Sequence, residues 1–380
     1  YLLAIETAAA GQALVYTQIA DPDAADRARE AAEAGALDAT RIQIDAGPLD
    51  RLHLADDIAD GLIATGPAAA PPDSEALRVL RPGGKAILGM REITKPIPEG
   101  IDDWTHPYHG PDNNPLSRDR VARAPFLTRF IAEPRYAPAP QVALAAAGRV
   151  FHAFGHVAWH EREEHFLSTL AAFNGWNGTL LWKRPLPGGM MVHRNTFIAT
   201  PDTLFVADDP ACLRIDAATG ETLGEIRPPK HIATGTFWKW IALDGGVLYG
   251  LTGAAEPRDP EQRWKRTAHG WPWTGISPGY NAPENEWGFG ENFFAFEPIS
   301  GRPLWHYHET APADSRAVCL GDGRLFAFRF GEYLTCIDAR NGQPLWRKTP
   351  ENDPALFERI GQPLPRQGWQ TNWRTASYLK

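Results

Sequence analysis

One short phrase occurs four times and limits what this chain can become. It reads Phe173-Asn174-Gly175-Trp176-Asn177-Gly178-Thr179-Leu180-Leu181-Trp182, then Ile215-Asp216-Ala217-Ala218-Thr219-Gly220-Glu221-Thr222-Leu223. It returns as Phe296-Glu297-Pro298-Ile299-Ser300-Gly301-Arg302-Pro303-Leu304-Trp305 and Ile337-Asp338-Ala339-Arg340-Asn341-Gly342-Gln343-Pro344-Leu345-Trp346. The pattern is an apolar residue, Asp, Asn or Glu, a turn closed by Gly, and a Leu that is followed by Trp in three of the four copies. This is a strand, a tight turn and a second strand. The glycine supplies the positive φ that such turns need, and the Trp offers a large ring for packing. Four copies in one chain specify a repeat architecture.

Each copy is preceded by a turn-plus-strand signal: Gly148-Arg149-Val150-Phe151, Asp202-Thr203-Leu204-Phe205, Gly246-Val247-Leu248-Tyr249 and Gly323-Arg324-Leu325-Phe326. The interval from that aromatic to the turn glycine is short in the second and fourth copies (Phe205 to Gly220, Phe326 to Gly342). It is longer in the first (Phe151 to Gly178) and longest in the third (Tyr249 to Gly301). The first and third repeats therefore carry inserts. Four-stranded units of this length, set radially, make β-propeller blades.

Tryptophan divides the chain. All 14 lie at position 104 or later, and residues 1–99 hold no Phe either. A shift that sharp marks a boundary near Pro96-Ile97-Pro98-Glu99-Gly100, giving an α/β domain over 1–95, a joint over 96–145 and blades over 146–380, about four to five of them. With 380 residues and a net charge of −8, the chain has room for a substantial core and is poorly suited to nucleic acid. No apolar run is long enough for a membrane span. Cys212, Cys319 and Cys336 form no CxxC motif and read as small buried residues, with one disulfide left open. The chain begins at Tyr1 and ends on Thr375-Ala376-Ser377-Tyr378-Leu379-Lys380, which reads like the start of a strand, so it is expected to be a fragment or a processed product.

In the first domain, strands are expected over 14–19, 41–45, 61–65 and 85–89, with helices over about 24–35 and 74–80. This alternation predicts a parallel doubly wound, Rossmann-like sheet. Val79-Leu80-Arg81-Pro82-Gly83-Gly84-Lys85 resembles the late turn of class I S-adenosylmethionine-dependent methyltransferases. In that family an acidic residue after the second strand holds the ribose, and Asp21 or Asp23 takes that place here. The family's glycine-rich first loop is missing, so the resemblance implies a degenerate module that packs rather than transfers methyl groups.

The joint contains Asp102-Asp103-Trp104-Thr105-His106-Pro107-Tyr108-His109-Gly110-Pro111-Asp112-Asn113-Asn114, the densest polar-aromatic stretch. His106, His109 and Asp112 are candidate metal ligands, but Pro107 and Pro111 forbid a helix that would bring them to one face. A turn-rich linker with no metal is the expectation.

The phrase Ile-Asp-Ala-x-x-Gly-x-x-Leu-Trp resembles the blade motif of the PQQ-like, quinoprotein alcohol dehydrogenase-like, propellers. Together with the methyltransferase-like start and the Asp-Asp-Trp-Thr-His joint, it resembles large bacterial envelope proteins carrying PQQ-binding-like propeller repeats. The resemblance implies a periplasmic or extracellular bacterial location. It also implies a propeller incomplete in this chain, to be finished by remaining propeller chain or another protein subunit. Catalytic members use pyrroloquinoline quinone with calcium and a vicinal disulfide. This chain has no Cys-Cys pair, so no cofactor is expected.

Chemistry is expected in the inserts and loops, because the strands are occupied in packing. The third-repeat insert gathers Trp264, Trp271, Trp273, Tyr280 and Trp287 among Asn, Glu and Arg, a composition suited to stacking on sugar rings or to pinning a lid. The first-repeat insert holds His156, His160, Glu161, Glu164 and His165. The spacing of His160 and His165 is one too long for a shared helix face, so a solvated loop is expected rather than zinc. Arg194, Lys239, Arg316 and Arg374 could ring a central funnel and attract an anion such as an acidic sugar or a quinone carboxylate, or could pair with carboxylates between blades, and a polysaccharide is a candidate partner. The leading expectation is a ligand-binding or assembly propeller recognising carbohydrate or a protein. The alternative is an enzyme, a carbohydrate-active lyase or hydrolase or a PQQ-dependent dehydrogenase, with His193 or His269 as general base.

Overall fold

The computed structural model describes the chain except for residues 12, 66–69, 126–133, 156–157, 159, 189, 191, 193, 233–234, 257–287 and 361–380. The chain divides into two units, Tyr1–Gly100 with Val121–Phe130, and Ile101–Arg120 with Ile131–Lys380.

In the first unit, α1 (Leu2–Ala10), β1 (Val15–Ile19), α2 (Pro22–Ala34) and β2 (Ile42–Ala46) pack around Ala8, Ala32 and Ile42, with β1 and β2 parallel. Asp21 caps α2 by accepting from the Asp23 N–H at 3.1 Å, and Pro22 opens the helix. β3 (Ala59–Ala64), α3 (Asp73–Val79), β4 (Leu80–Leu88) and β5 (Arg91–Thr94) follow. β3 and β4 are parallel; β4 and β5 are antiparallel.

Two expectations are corrected here. Among the described residues the strands form two separate sheets, β1-β2 and β3-β4-β5, not one doubly wound sheet. The Arg81-Pro82-Gly83-Gly84 stretch is not a turn before a strand but lies inside β4. Gly83 takes φ +76°, and the β3 partner register shifts between Ala59 and Gly61. Gly83 N–H donates to Lys95 O at 2.9 Å and Gly84 O accepts from Lys95 N–H at 2.9 Å, so the ladder continues past the irregularity.

The second unit contains four four-stranded antiparallel sheets, each an up-and-down meander. Sheet 1 is β6 (Val142–Ala146), β7 (Arg149–Phe154), β8 (Thr169–Asn174) and β9 (Leu180–Pro185). Sheet 2 is β10 (Phe197–Ala199), β11 (Thr203–Ala207), β12 (Cys212–Asp216) and β13 (Thr222–Ile226). Sheet 3 is β14 (Phe237–Asp244), β15 (Val247–Gly253), β16 (Phe289–Phe296) and β17 (Pro303–Asp314). Sheet 4 is β18 (Val318–Gly321), β19 (Arg324–Arg329), β20 (Tyr333–Asp338) and β21 (Pro344–Lys348).

The sheets stack face to face in chain order. Phe151, Leu170 and Ala172 of sheet 1 meet Phe197, Leu204 and Ile215 of sheet 2. Phe205 and Ile226 meet Trp238 and Phe294 of sheet 3. Tyr249, Phe293 and Ala295 meet Leu320, Leu325 and Ile337 of sheet 4. The first strands β6, β10, β14 and β18 are neighbours in turn. Strand order and stacking are those of propeller blades. Sheets 1 and 4 share no core cluster among the described residues.

The repeated phrase makes the same turn four times. Gly178, Gly220, Gly301 and Gly342 have φ of 73°, 77°, 69° and 74°. Each donates its N–H to the carbonyl of the residue that opens the turn: Asn174 (2.8 Å), Asp216 (2.9 Å), Glu297 (2.9 Å) or Asp338 (2.8 Å). The side chain of that opening residue accepts from the N–H two residues on, at 2.9 Å for Asn174, Asp216 and Asp338 and 3.0 Å for Glu297.

The outer faces of the end sheets are partly covered. A six-residue 3-10 helix, Glu161–Phe166, places Phe166 over Phe154 and Ala171 of sheet 1. Phe166 is the one buried residue of this helix; His160, Glu161, Arg162, Glu164 and His165 are exposed, as expected of a solvated charged stretch. His160 forms a capping box with Glu163, while His165 lies edge-on to Phe166 with ring centroids 5.0 Å apart. On sheet 4, α4 (Pro354–Arg359) sets Phe357 against Ala317 and Phe328.

A Cβ at Gly342 would lie 2.6 Å from the Trp305 ring, whereas one at Gly323, also at positive φ (+68°), meets nothing within 4 Å. Gly323→Ala therefore carries backbone strain alone, about 1–3 kcal/mol. Gly342→Ala adds a steric clash with a half-buried ring and should lower the urea midpoint clearly further.

Candidate functional site

The first strand of a blade has one edge with no strand beside it, and its buried N–H and C=O groups need partners. In this chain the partners come from the joint. Trp104 exchanges both backbone hydrogen bonds with Ala145 of β6 (2.8 and 2.9 Å), and Ala147 N–H donates to Asp103 Oδ1 at 3.0 Å. Thr105 O accepts from Ala199 N–H of β10 at 2.9 Å. His106 Nε2 accepts from Leu243 N–H of β14 at 3.1 Å. Pro111 O accepts from Leu320 N–H of β18 at 2.8 Å, and Asn113 Nδ2 donates to Val318 O at 2.9 Å. In a dozen residues the segment visits all four sheets. It moves between them because Pro107 and Pro111 break any regular structure and because His109 and Asn113 take positive φ (76° and 58°). The stretch expected to be a linker is an axial strut.

Its histidines are structural. His106 is buried, and burial pushes its pKa down to about 4. Because Nε2 accepts, Nδ1 carries the proton and donates to Thr105 Oγ1 at 2.8 Å; Thr105 in turn donates to His109 O at 3.2 Å. His109 Nε2 bonds Asp102 at 2.7 Å. Burial alone would raise the Asp102 pKa, but hydrogen bonds from Arg118 N–H, His109 and Ser117 outweigh it and hold the carboxyl below its ordinary range. Asp112 accepts from Asn114 N–H at 3.2 Å. Both nitrogens of His106 are used, so His106, His109 and Asp112 do not form a ligand set. No group of three or more metal-ligating side chains is found among the described residues.

Of the four cations expected either to ring a funnel or to pair with carboxylates, the two whose side chains are described are paired, each within its own sheet or its flank. The Lys239 side chain is 0% exposed, bonds Glu256 at 2.9 Å and lies over the Phe237 ring. Glu256 also accepts from Gly288 N–H at 2.9 Å. The pair thus ties together the two residues that flank 257–287. Arg316 is held bidentately by Asp314 at 2.7 and 2.6 Å. Both cations are committed inside the protein, since burying a charge demands a close counter-ion. Nearby, Asn195 Nδ2 donates to Ser315 O at 3.0 Å, joining the approaches to β10 and β18. Of the other candidates, His156, His193, Trp264, His269, Trp271, Trp273, Tyr280, Trp287 and Arg374 lie outside the described residues, as does the side chain of Arg194. Glu256 and Asp314 were not legible as partners: each is one acid among many, and burial alone distinguishes it.

Cys212, Cys319 and Cys336 are free and buried. Burial raises all three thiols, Cys319 to about 11. Lys239 and Arg316 are held by their own carboxylates, so neither of these two is offered to a quinone carboxylate.

Beside β6 and the strut lies an open groove of about 450 Å³, walled by Trp104, Pro107, Tyr108, Pro140, Ala143 and Val150. Trp104 is fixed by its Nε1–H to Pro107 O at 3.3 Å and by its edge contact with His109 at 5.3 Å. Trp104 and Tyr108 were not singled out from the sequence, where their stretch reads as a turn-rich linker.

What the fold defines is a repeat protein of propeller-type blades. No family model matches the chain, and no curated protein matches it in sequence. Among solved structures it is similar to a europium-containing methanol dehydrogenase (15% identity, TM-score 0.36, 55% of this chain and 41% of that one). It is also similar to BamB from Moraxella catarrhalis (10% identity, TM-score 0.34, 55% and 50%). A third is a quinohemoprotein alcohol dehydrogenase from Pseudomonas putida HK5 (16% identity, TM-score 0.33, 55% and 34%). The chain spans half or less of each, and likenesses this distant say nothing of activity. No helix among the described residues is long and apolar enough to cross a membrane.

Unfolded His106 takes up a proton near pH 6.5, folded His106 only near 4. Its contribution to stability is therefore complete above pH 6.5 and is lost as pH falls through that window, by up to about 3 kcal/mol. Urea melts at stepped pH should show this slope, and His106→Gln should remove it. Separately, Lys239→Met strands the Glu256 carboxylate and should cost about 3–5 kcal/mol in the same assay.

Proposed function

We propose that this is an envelope-associated binding or assembly protein of the propeller type, which recognises carbohydrate or a protein partner at the groove beside the axial strut. The supporting observation is the groove itself. Trp104, Pro107 and Tyr108 of the strut, with Pro140 just before β6, line it along the first strand of sheet 1, and the strut is held by hydrogen bonds to the sheets. Rigid aromatic faces with a satisfied polar scaffold behind them suit stacking on the C–H face of a sugar, or an apolar anchor from another protein. The envelope location rests on the blade motif and its order in the chain.

Affinity electrophoresis in gels cast with soluble polysaccharides tests the carbohydrate arm, and capture from an envelope extract tests the protein arm. Tyr108→Ala should weaken the productive arm by roughly two- to tenfold, the range for one aromatic contact. The paired change Trp271→Ala and Trp273→Ala asks the same of the third-repeat insert. Wild-type binding in neither assay, or binding indifferent to Tyr108, would rule the groove out.

A further inference from the structure

His306 and His308 stand two apart on β17, so both side chains leave the same face of sheet 3. Trp305 and Tyr307, which alternate with them, pack toward sheet 4. His306 stacks on Phe294, with ring centroids 4.7 Å apart at 22°, and Phe294 belongs to the core shared with sheet 2. Both imidazoles reach one atom. Asn292, directly across from His308 on β16, is fully buried, and its Oδ1 accepts from His306 Nε2–H at 3.0 Å and from His308 Nδ1–H at 3.2 Å. An amide oxygen only accepts, so it fixes the tautomer of both rings.

The repeat does not demand this set. Where His306 follows Trp305, Lys183 follows Trp182 in sheet 1 and Arg347 follows Trp346 in sheet 4, and the places of His308 are taken by Pro185 and Thr349. Its dimensions are those of a metal site. Two donors bound to one ion at about 2.1 Å stand about 3.0–3.4 Å apart, from octahedral to tetrahedral geometry. The two nitrogens lie at such distances from the oxygen. Both histidines are exposed, so an ion reaches them from solvent, while the buried Asn292 holds the third donor in place. Thr252, paired with Asn292 in the ladder, is fully buried and its Oγ1 has no hydrogen-bond partner among the described residues. It is the kind of orphan group that a bound water satisfies. Burial, with His308 and His231 nearby, holds the His306 pKa below its ordinary value, so the ring is neutral and able to bind at neutral pH.

We infer that Asn292 Oδ1, His306 Nε2 and His308 Nδ1 form a binding site for a late divalent transition ion, zinc or nickel. Imidazole suits these ions, whereas calcium and magnesium call for oxygen. Two imidazoles and one amide fall short of three strong donors, so waters complete the shell. On binding, each ring proton moves from the nitrogen that faces Asn292 to the other ring nitrogen. Two metal–nitrogen bonds form and no proton is lost overall. The site shares no residue with the groove, and the inference does not depend on what the groove binds.

The test is calorimetric titration of the 380-residue chain with zinc chloride at neutral pH, with excess magnesium present. Loss of an outer partner of a metal ligand costs about 10–100-fold in affinity, so loss of a ligand costs at least that. His306→Gln and His308→Gln should each weaken one and the same zinc site at least tenfold, and leave the urea midpoint of the metal-free chain where it was. Asn292→Asp, which puts a carboxylate where the amide oxygen was, should tighten that site severalfold. Nitrogen–proton correlation spectra give a second reading. Without zinc, His306 should carry its proton on Nε2 and His308 on Nδ1; saturation should move each to the other nitrogen. Zinc taken up equally by the wild type and both histidine variants lies adventitiously on other histidines, and overturns the inference. So does a chain that takes up no zinc, or one whose two tautomers are unchanged at saturation.

Discussion

The structure of the blade unit depends on satisfying the inner edges of four strands. A stack of sheets sets its first strands beside one another, and each brings a line of backbone donors and acceptors with no strand alongside. Leaving one such group unpaired costs about 1–3 kcal/mol. The Asp102–Asn114 segment supplies hydrogen bonds to β6, β10, β14 and β18 in succession. It can do so because it is irregular. A strand would pair with one sheet only, while prolines and left-handed residues let successive groups face successive sheets. The neutral His106 belongs to this arrangement: it serves as a backbone carbonyl would, accepting from Leu243 where the main chain has turned away.

The second constraint acts between sheets. Apolar faces alone would hold neighbouring blades together without fixing their register, since the hydrophobic effect is non-directional. The hydrogen bond from Trp182, Arg214 or Trp305 to the following turn adds direction. The close fit of a left-handed glycine under the indole adds shape. That Arg214 performs the task in sheet 2 shows that the requirement is a long side chain with an N–H at its tip, not tryptophan as such. The inserts hang on this frame at anchored points, Phe166 for the first repeat and the Lys239–Glu256–Gly288 link for the third.

Much of the repeat unit was legible in the sequence. Turn glycines, opening Asp or Asn residues and Leu-Trp pairs are local signals, and they located the four sheets and their order. Four of the five strands of the α/β segment were legible, while β5 and the division into two sheets were not. The Arg81–Gly84 stretch reads as a turn by composition, and only the ladder to Lys95 makes it part of β4. The site was less legible. His106, His109 and Asp112 have the residue types of a metal site, yet their ring nitrogens and oxygens are committed to Leu243, Thr105, Asp102 and Asn114. Lys239 and Arg316 look like funnel cations until Glu256 and Asp314 are seen beside them.

By itself the sequence determined the repeat, the turns and the residues that close them, because those depend on φ preferences and side-chain reach within a few residues. Only the tertiary structure decided that the joint is an axial strut and that two cations are neutralised in place. The strut turns on pairing between residues far apart in the chain, and the cations on burial beside a carboxylate that the fold supplies. Whether a donor is free or spent depends on which acceptor the fold brings to it.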